Sequence, residues 1–518
     1  MAKLQVISVC VILIINYHED KNVAEKNSFS DKEREFFRLV TEAVSANPFS
    51  EERDSLNKQI AGFFNFEISI DPLEQTIQEV KKRLLALSEK TAVDIKRFSK
   101  RDGELLLNTI LFDFFHTYLE DFDRLILRQI EAGNSEVKVE FAGKAISDLL
   151  AYGFDKEDAV RYFSLSYQLR RAFYFIDRSL IGQSSSMRKL KESLWNNVFT
   201  SDINLYESYL WNRMEDFSTM ILGETGTGKG QAAMAIGRSG YIPFNYEKKC
   251  FKESFTNTFI SINLSQFSET LIESELFGHR KGSFTGAVTN YDGVFSKCSP
   301  YGAIFLDEIG EVSHSLQIKL LKVLEERIFS SVGSRDDLRF EGRVIAATNQ
   351  PVDKLIKKGH MREDFFYRLC SDLIYMPPLR TRINEDNQEI EDLIQFTINK
   401  IVGKSSPELV SMVSSEIRKF PGRKYSWPGN VRELGQCIRR ILLNREYKQY
   451  NSVAASTGGL SDDFIAEISS GELTAQQLLT GYCYHLYEQA GTFGEVARKT
   501  GLDRRTVKKY IDDWLTGH

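Results

Sequence analysis

The chain has 518 residues, enough for about three or four domains of ordinary size. Its 67 basic and 72 acidic residues leave a net charge of −5, and 42% apolar with 27% charged residues is globular composition. That balance excludes a disordered, collagen-like or low-complexity chain, and it excludes one that coats nucleic acid along its whole surface. Nucleic-acid binding must then be confined to a basic patch. Cys10, Cys250, Cys298, Cys370, Cys437 and Cys483 show no Cys-x-x-Cys pairing and read as reduced thiols. The seven histidines have no metal-ligand spacing.

In chain order, residues 4–15 form an apolar run behind Lys3, too short to span a bilayer and followed by Asn16-Tyr17-His18-Glu19-Asp20 rather than a cleavage site. A buried strand and a cytoplasmic protein without a membrane partner are the expectation. Residues 30–178 are mainly helical. Asp71-Pro72 reads as a helix start, and Leu73, Ile77, Val80, Leu84 and Leu87 then make one apolar stripe. Residues 105–130 read as a buried helix pair. Near Leu180-Ile181-Gly182-Gln183-Ser184 the character changes. Short apolar runs at 219–222, 259–262, 303–306 and 344–347 alternate with helical patterns, which predicts an α/β domain with a mostly parallel sheet. Residues 384–447 are helical, 451–472 read as a Ser/Gly/Ala-rich linker, and 473–518 form a short, locally basic helical piece.

The first chemistry lies at Gly223-Glu224-Thr225-Gly226-Thr227-Gly228-Lys229, directly after an apolar strand and before a helical pattern. Gly, four residues, then Gly-Lys is a phosphate-binding loop: glycines let backbone N–H groups face the phosphates, and the lysine reaches the outer ones. Gly230 follows where Ser or Thr would offer a hydroxyl to Mg²⁺, so the metal would rely on Asp307, nucleotide oxygens and water. The strand Ile304-Phe305-Leu306 ends in Asp307-Glu308, fitting a metal carboxylate and the base that orients water. The strand at 344–347 ends in Thr348 and Asn349, placed to sense the γ-phosphate. Arg362 and Arg368 are guanidinium forks that could neutralise transition-state charge.

Glu273-Ser274-Glu275-Leu276-Phe277-Gly278-His279 leads into Lys281-Gly282-Ser283-Phe284-Thr285-Gly286-Ala287, and Trp427-Pro428-Gly429-Asn430-Val431-Arg432-Glu433 follows far downstream. Over residues 180–447 the chain thereby resembles bacterial enhancer-binding proteins, the AAA+ ATPases that activate sigma-54 RNA polymerase. The family's loop reads Gly-Ala-Phe-Thr-Gly-Ala; here Ser283 stands at its second position. The resemblance implies Walker A at residues 223–229, Walker B at Asp307-Glu308, and Asn263 restraining the catalytic glutamate. It further implies sensor I at Thr348 and Asn349, arginine fingers at Arg362 and Arg368 reaching a neighbour's nucleotide, and sensor II at Arg432. ATP and Mg²⁺ are the implied cofactors. Gly282 and Gly286 permit a tight, mobile turn, with Phe284 and Thr285 expected at its tip against sigma-54. Compared with the family, residues 241–256 look like an insertion and are expected to form a surface loop.

At the C-terminus, residues 492–499 and 503–511 flank the turn Thr500-Gly501-Leu502. Two short helices with a Gly-containing turn make a helix-turn-helix, with a core of Val496, Ala497, Leu502, Val507 and Ile511. Arg504, Arg505 and Thr506 would meet bases, and Lys508 and Lys509 phosphates. It resembles the Fis-type domain that ends enhancer-binding proteins.

The expected fold is therefore multidomain: a mainly helical N-terminal regulatory domain (1–178), an α/β AAA+ P-loop NTPase core (179–380) with a helical lid (381–450), a linker (451–472) and an all-α helix-turn-helix (473–518). The expected function is a sigma-54-dependent activator, an enhancer-bound ATPase that remodels the closed sigma-54 RNA polymerase complex. Its partners would be sigma-54 holoenzyme, enhancer DNA and itself, as a dimer at rest and a hexameric ring when active. Two other readings stay open: a DNA-binding regulator that hydrolyses ATP poorly, resting on Gly230, and an AAA+ remodeller of another protein.

Overall fold

Capping chemistry punctuates the N-terminal helices. Ser30 and Glu33 form a reciprocal capping box at the start of Asp31–Ser45, and Asp71 accepts from the Leu73 amide (2.9 Å) ahead of Pro72–Lys90. The stripe expected there is inward: Leu73, Val80, Leu84 and Leu87 are buried, with Ile77 packed against them. The apolar stretch after residue 105 is a helix pair, Lys100–Thr117 and Leu119–Ala132, turning at Tyr118. Helices Ala142–Ala151 and Lys156–Ser179 complete the array. These elements belong to a computed structural model that describes residues 27–62, 71–419, 425–445 and 473–517, with isolated positions 468 and 471. The strand expected at 4–15 and most of the linker at 451–472 lie outside the described residues.

Five parallel strands follow: β1 (Thr219–Leu222), β2 (Phe259–Asn263), β3 (Ala303–Asp307), β4 (Arg343–Thr348) and β5 (Asp372–Tyr375). Their order in the sheet is β2-β3-β4-β1-β5, with Leu222 opposite Thr348 and Asn263 opposite Asp307. Four of these strands were expected. β5, a short edge strand with Asp372 at its start and an exposed Tyr375, was not. Side chains alternate between two cores, as strand geometry requires. Ile221, Phe305 and Ile345 face one, Met220, Ile304, Leu306, Val344 and Ala346 the other. Helices His314–Glu326 and Glu363–Leu369 cover the second face.

The first core continues without a break past residue 178. It runs from the sheet through Ala232 and Ala233 of the helix Lys229–Gly237, through Trp195 and Phe199 of Ser185–Phe199, into Phe173, Phe49 and the N-terminal helices. Phe49 stacks on Phe173 at 5.3 Å. Arg171 is fully buried and donates to the carbonyls of Arg238 (2.8 Å) and Gly240 (2.7 Å), just beyond the helix that begins at Lys229.

Residues 241–256 correct the expected surface loop. Phe244–Asn245 and Cys250–Phe251 pair antiparallel, and Phe244, Cys250 and Phe255 are buried. Phe251 packs on Tyr167 (4.3 Å) and Phe163 (6.1 Å), and Phe255 on Phe175 (5.3 Å). Backbone bonds reinforce the seam, from the Val139 amide to the Lys249 carbonyl (2.9 Å). The physical reason is composition: five aromatics within the insertion cannot all face water, and the N-terminal helices offer aromatic partners.

Residues 379–444 form Leu379–Glu385, Glu389–Val402, Pro407–Lys419 and Asn430–Asn444. Among the described residues of a separate unit are three helices, Ala475–Ala490, Phe493–Thr500 and Arg504–Gly517. Its core holds Cys483, Leu486, Val496, Val507 and Ile511, with Ala497 and Leu502 half-buried against it. Among the described residues, no helix is long and apolar enough to cross a membrane.

Candidate nucleotide site and loop

β1 ends at Leu222 and the chain turns through the glycine loop into the helix Lys229–Gly237. Gly226 (φ +82°) and Gly228 (φ +103°) take left-handed conformations that admit glycine readily. Lys229 is nearly buried. Its ammonium donates back to the loop carbonyls of Gly223 (2.9 Å) and Glu224 (3.3 Å), and burial lowers its proton affinity while Glu308 and Asp307 oppose that. Thr227 Oγ1 donates to the Glu224 carbonyl (2.8 Å).

Asp307 closes β3, and Glu308 follows in a left-handed conformation (φ +58°), a strained backbone of the kind that collects at functional sites. Burial and the adjacent Asp307 charge raise the Glu308 carboxyl above its ordinary range; Lys229 and the Asn349 amide pull the other way. Thr348, at the end of β4, is buried opposite Leu222, and its Oγ1 accepts from the Gln350 amide (3.1 Å). Asn349 Nδ2 donates to Thr225 Oγ1 (3.0 Å), tying the β4 end to the phosphate loop. Asn263 sits beside Asp307 across the β2–β3 ladder, but its Oδ1 accepts from Ser265 (3.0 and 2.8 Å) and caps a short turn.

The helical region presses directly on the loop. A Cβ at Gly226 would lie 2.2 Å from the Gly429 carbonyl and 2.9 Å from Arg432 Cβ, so both the glycine and the docking place Arg432 at the site. Asn430, fully buried with φ +52°, donates to Glu224 Oε2 and the Thr225 carbonyl (3.1 Å each). Arg380 forks onto the Glu224 carboxylate (2.8 and 2.5 Å). Glu433 shapes the Trp-Pro-Gly-Asn turn by accepting from Tyr425 Oη (2.5 Å) and the Gly429 amide (2.8 Å). The Glu224–Arg380–Asn430 linkage was not foreseen from sequence; Arg380, just after Pro377-Pro378 at a helix start, was its one local sign.

Arg362 and Arg368 lie at opposite ends of Glu363–Leu369. Arg362 pairs with Asp364 (3.0 and 2.7 Å), and Arg368 donates to the Leu324 carbonyl (3.2 and 3.1 Å). Neither bonds to the phosphate loop of its own chain among the described residues. Gly230 is exposed, and a Cβ there would meet only Phe305 at an ordinary 3.8 Å. Packing therefore does not require glycine at that position.

The loop at 281–287 is a closed turn. Gly282 (φ +80°) and Gly286 (φ +103°) have open space around them, so conformation rather than crowding calls for glycine. The Gly282 amide donates to the Ala287 carbonyl (2.8 Å). Thr285 is exposed, whereas Phe284 is half-buried and folds edge-on against His279 (5.0 Å), itself stacked on Tyr291 (5.6 Å). The expected free aromatic tip is thus parked. The Ser283 hydroxyl is buried without a partner, under Gly333.

In the C-terminal unit, Asp503 caps the last helix, accepting from the Arg505 amide (2.7 Å), the Thr506 amide (3.2 Å) and the Thr506 hydroxyl (2.5 Å). These bonds lower its carboxyl below the usual range. Arg504, Arg505, Lys508 and Lys509 are exposed, while the Thr506 hydroxyl is occupied by the cap.

A parallel sheet of this order, with the phosphate loop after β1, the acidic pair ending β3 and a helical subdomain pressed on the loop, defines a P-loop NTPase of the AAA+ class. Residues 202–374 match the family model described as Sigma-54 interaction domain, and this stretch of the chain is such a domain. The Nif-specific regulatory protein of Azotobacter vinelandii is 36% identical over 276 residues, 53% of this chain and 46% of that protein. Regulatory protein AtoC of Escherichia coli is 32% identical over 295 residues, 55% of this chain and 60% of its own. A signal-transduction and transcriptional-control protein of Clostridium beijerinckii is 36% identical over 353 residues, 66% and 50% of the two chains. The chain thus spans about half the length of the curated relatives it matches.

Proposed function

We propose that the protein is a sigma-54-dependent transcriptional activator, an enhancer-bound ATPase that couples hydrolysis to remodelling of the closed sigma-54 RNA polymerase complex. The observation that carries this reading is the joining, in one sigma-54 interaction domain, of a nucleotide constellation and a glycine-hinged loop bearing Phe284.

ATP would bind with its phosphates on the loop amides of residues 224–229 and on Lys229. Asp307 is the carboxylate fitted to Mg²⁺, a hard cation that takes oxygen ligands; Gly230 supplies none. The metal would neutralise phosphate charge. Glu308, its carboxyl held high by burial, would orient and deprotonate water. Thr348 and Asn349 would report the γ-phosphate to the loop through Thr225, and Arg432 would report it to the helical region. Arg362 and Arg368 would serve a neighbour's nucleotide, which calls for a ring, hexameric by family analogy, formed from resting dimers. Asn263 would restrain Glu308 after release from Ser265. Residues 282–287 would leave His279 and meet sigma-54 when the nucleotide state changes. Arg504, Arg505, Thr506, Lys508 and Lys509 would hold enhancer DNA, in the cytoplasm where the polymerase acts.

The test compares full-length wild type, Glu308→Gln and Phe284→Ala for ATP turnover and for opening of a sigma-54 promoter. Wild type should do both, Phe284→Ala should hydrolyse without opening, and Glu308→Gln should do neither. Turnover with no opening, and no retention of sigma-54 in the presence of ADP–aluminium fluoride, would overturn the reading in favour of a remodeller of another protein. Absence of turnover above the Glu308→Gln control would leave a DNA-binding regulator.

A further inference from the structure

A helix leaves its last carbonyls without intrahelical donors, and the helix Lys229–Gly237 ends inside the protein. Each carbonyl at and just beyond that end has a donor. Ala235 accepts from the Ser239 hydroxyl (2.5 Å), Ile236 from the Ser239 amide (3.0 Å) and Gly237 from Thr258 Oγ1 (3.3 Å). The next three are met by the long N-terminal helix Lys156–Ser179. Arg171 donates to the carbonyls of Arg238 (2.8 Å) and Gly240 (2.7 Å), and Gln168 donates to that of Ser239 (2.9 Å). Both donors lie outside residues 202–374, the stretch that matches the sigma-54 interaction domain.

Ser164, Gln168 and Arg171 follow one another at spacings of four and three residues, which puts all three on one face of Lys156–Ser179. Ser164 Oγ accepts from the Phe244 amide (3.1 Å), so this face meets the backbone from residue 238 to residue 244. Gln168 and Arg171 are both buried and both held. Gln168 exchanges bonds with Tyr206 Oη (2.7 and 3.1 Å), and the Arg171 guanidinium lies over the Tyr167 ring (4.8 Å). Arg170, the neighbour of Arg171, turns the other way and forks onto Asp123 of Leu119–Ala132 (2.6 and 2.7 Å). Two adjacent arginines thus join one helix to the N-terminal array on one side and to the phosphate-loop helix on the other.

Apolar packing lets one helix slide or turn against another. Bonds to three successive carbonyls do not, because each has a preferred length and direction. The N-terminal helix therefore fixes where the phosphate-loop helix ends. That helix has 9 residues and spans about 13 Å, short enough for its two ends to move together, and Lys229 and the loop amides stand at the other end. The Arg171 cation also lies at the negative end of the helix dipole, where it stabilises the helix.

We propose that Gln168 and Arg171 are positioning residues of the nucleotide site: nucleotide affinity depends on the N-terminal helix Lys156–Ser179, and nucleotide occupancy in turn stiffens that helix. The proposal rests on the nucleotide reading of residues 223–229. Full-length protein is titrated calorimetrically with Mg–ADP, and amide hydrogen exchange is followed with and without it. Gln168→Met should weaken ADP binding about threefold and Arg171→Met about tenfold or more, with Arg171→Lys, which can still meet one carbonyl, in between. Tyr118→Phe, which removes a bond to Asp148 within the N-terminal helices, should leave the affinity within about twofold of wild type. In wild type, ADP should slow exchange over residues 165–172 about threefold or more and leave Asp31–Ser45 unchanged, a response that a contact serving only to hold the fold would not give. Affinity unmoved by Gln168→Met, Tyr118→Phe as harmful as Gln168→Met, or exchange slowed equally in both helices overturns the proposal. The wild-type exchange decides it even where Arg171→Met fails to fold. Failure of wild type to bind ADP refutes the nucleotide reading and the proposal with it, whereas ADP binding without the exchange response refutes the proposal alone.

Discussion

Glu389 holds the entry to the ATPase domain against its helical region, and its removal has a calculable cost. The carboxylate is fully buried. Oε2 accepts from Arg382 Nε (3.2 Å) and Nη2 (2.7 Å), Oε1 accepts from the Ser184 amide (2.8 Å), and Arg382 Nη2 also reaches the Ile181 carbonyl (2.6 Å). Gly182 completes the fit: a Cβ there would lie 2.4 Å from either carboxylate oxygen. Glu389→Gln preserves the shape but leaves the Arg382 guanidinium without a counter-charge and turns an amide N–H₂ toward a donor. Breaking one side of a buried pair costs about 3–5 kcal/mol, far above the value of about 1 kcal/mol or less for an exposed pair such as Glu416–Lys419. Urea unfolding of full-length Glu389→Gln and Glu416→Gln, followed by circular dichroism, should separate the two by more than 2 kcal/mol. Hydrogen exchange at the Ser184 amide should accelerate only in the first. A loss below 1 kcal/mol in Glu389→Gln, or unchanged Ser184 protection, would refute the claim that this pair pins residues 181–184.

Three further outcomes follow from the same structure. Because burial and Asp307 raise the Glu308 carboxyl, the acid limb of kcat should lie above the ordinary carboxylate range, and Glu308→Gln should lower kcat by roughly 10²–10⁴ with ATP binding retained, as read by a pH–rate profile and equilibrium binding. Burial holds the Glu207 carboxyl up to about 8 despite Arg161 at 2.6 Å, so its contribution to stability is full at low pH and lost as pH rises through about 8. Glu207→Gln stays neutral and should therefore gain roughly 2–3 kcal/mol on wild type between pH 6 and pH 9 in chemical denaturation. At Gly333 (φ +82°) an alanine Cβ would lie 2.6 Å from Ser283 Cβ, so Gly333→Ala should cost about 1–3 kcal/mol and speed proteolysis within 281–287. Adding Ser283→Gly removes the contact but not the strain of alanine at φ +82°, and should restore only part of the protection.

What was legible in the sequence was what the backbone decides locally. The turn at 223–229 announces itself because Gly226 and Gly228 need left-handed backbone and Lys229 must follow them at once. Four of the sheet strands were visible as short apolar runs, since burial on both faces removes alternation. β5 escaped because Asp372 and the exposed Tyr375 break the run, and Asp372 is there to accept from Asn197 Nδ2 (2.5 Å). Partnerships between distant residues were beyond reach. Glu224 looks like any loop carboxylate until folding brings Arg380 and Asn430 to it, and the aromatics of 241–256 look like surface until Phe163, Tyr167 and Phe175 cover them. Arg171 sits in a helix whose arginines would ordinarily be solvated, and only the carbonyls of Arg238 and Gly240 explain its burial. Two of these seams anchor the ends of the phosphate-loop helix, its loop to the helical region and the turn just beyond it to the N-terminal helices, and the third ties the insertion that follows to the same N-terminal helices. Each of the nucleotide's electrostatic parts is encoded as a short local motif, because charge must meet phosphate at fixed backbone geometry. The parts that could transmit its state are encoded at long range, because transmission requires contact between elements that move separately.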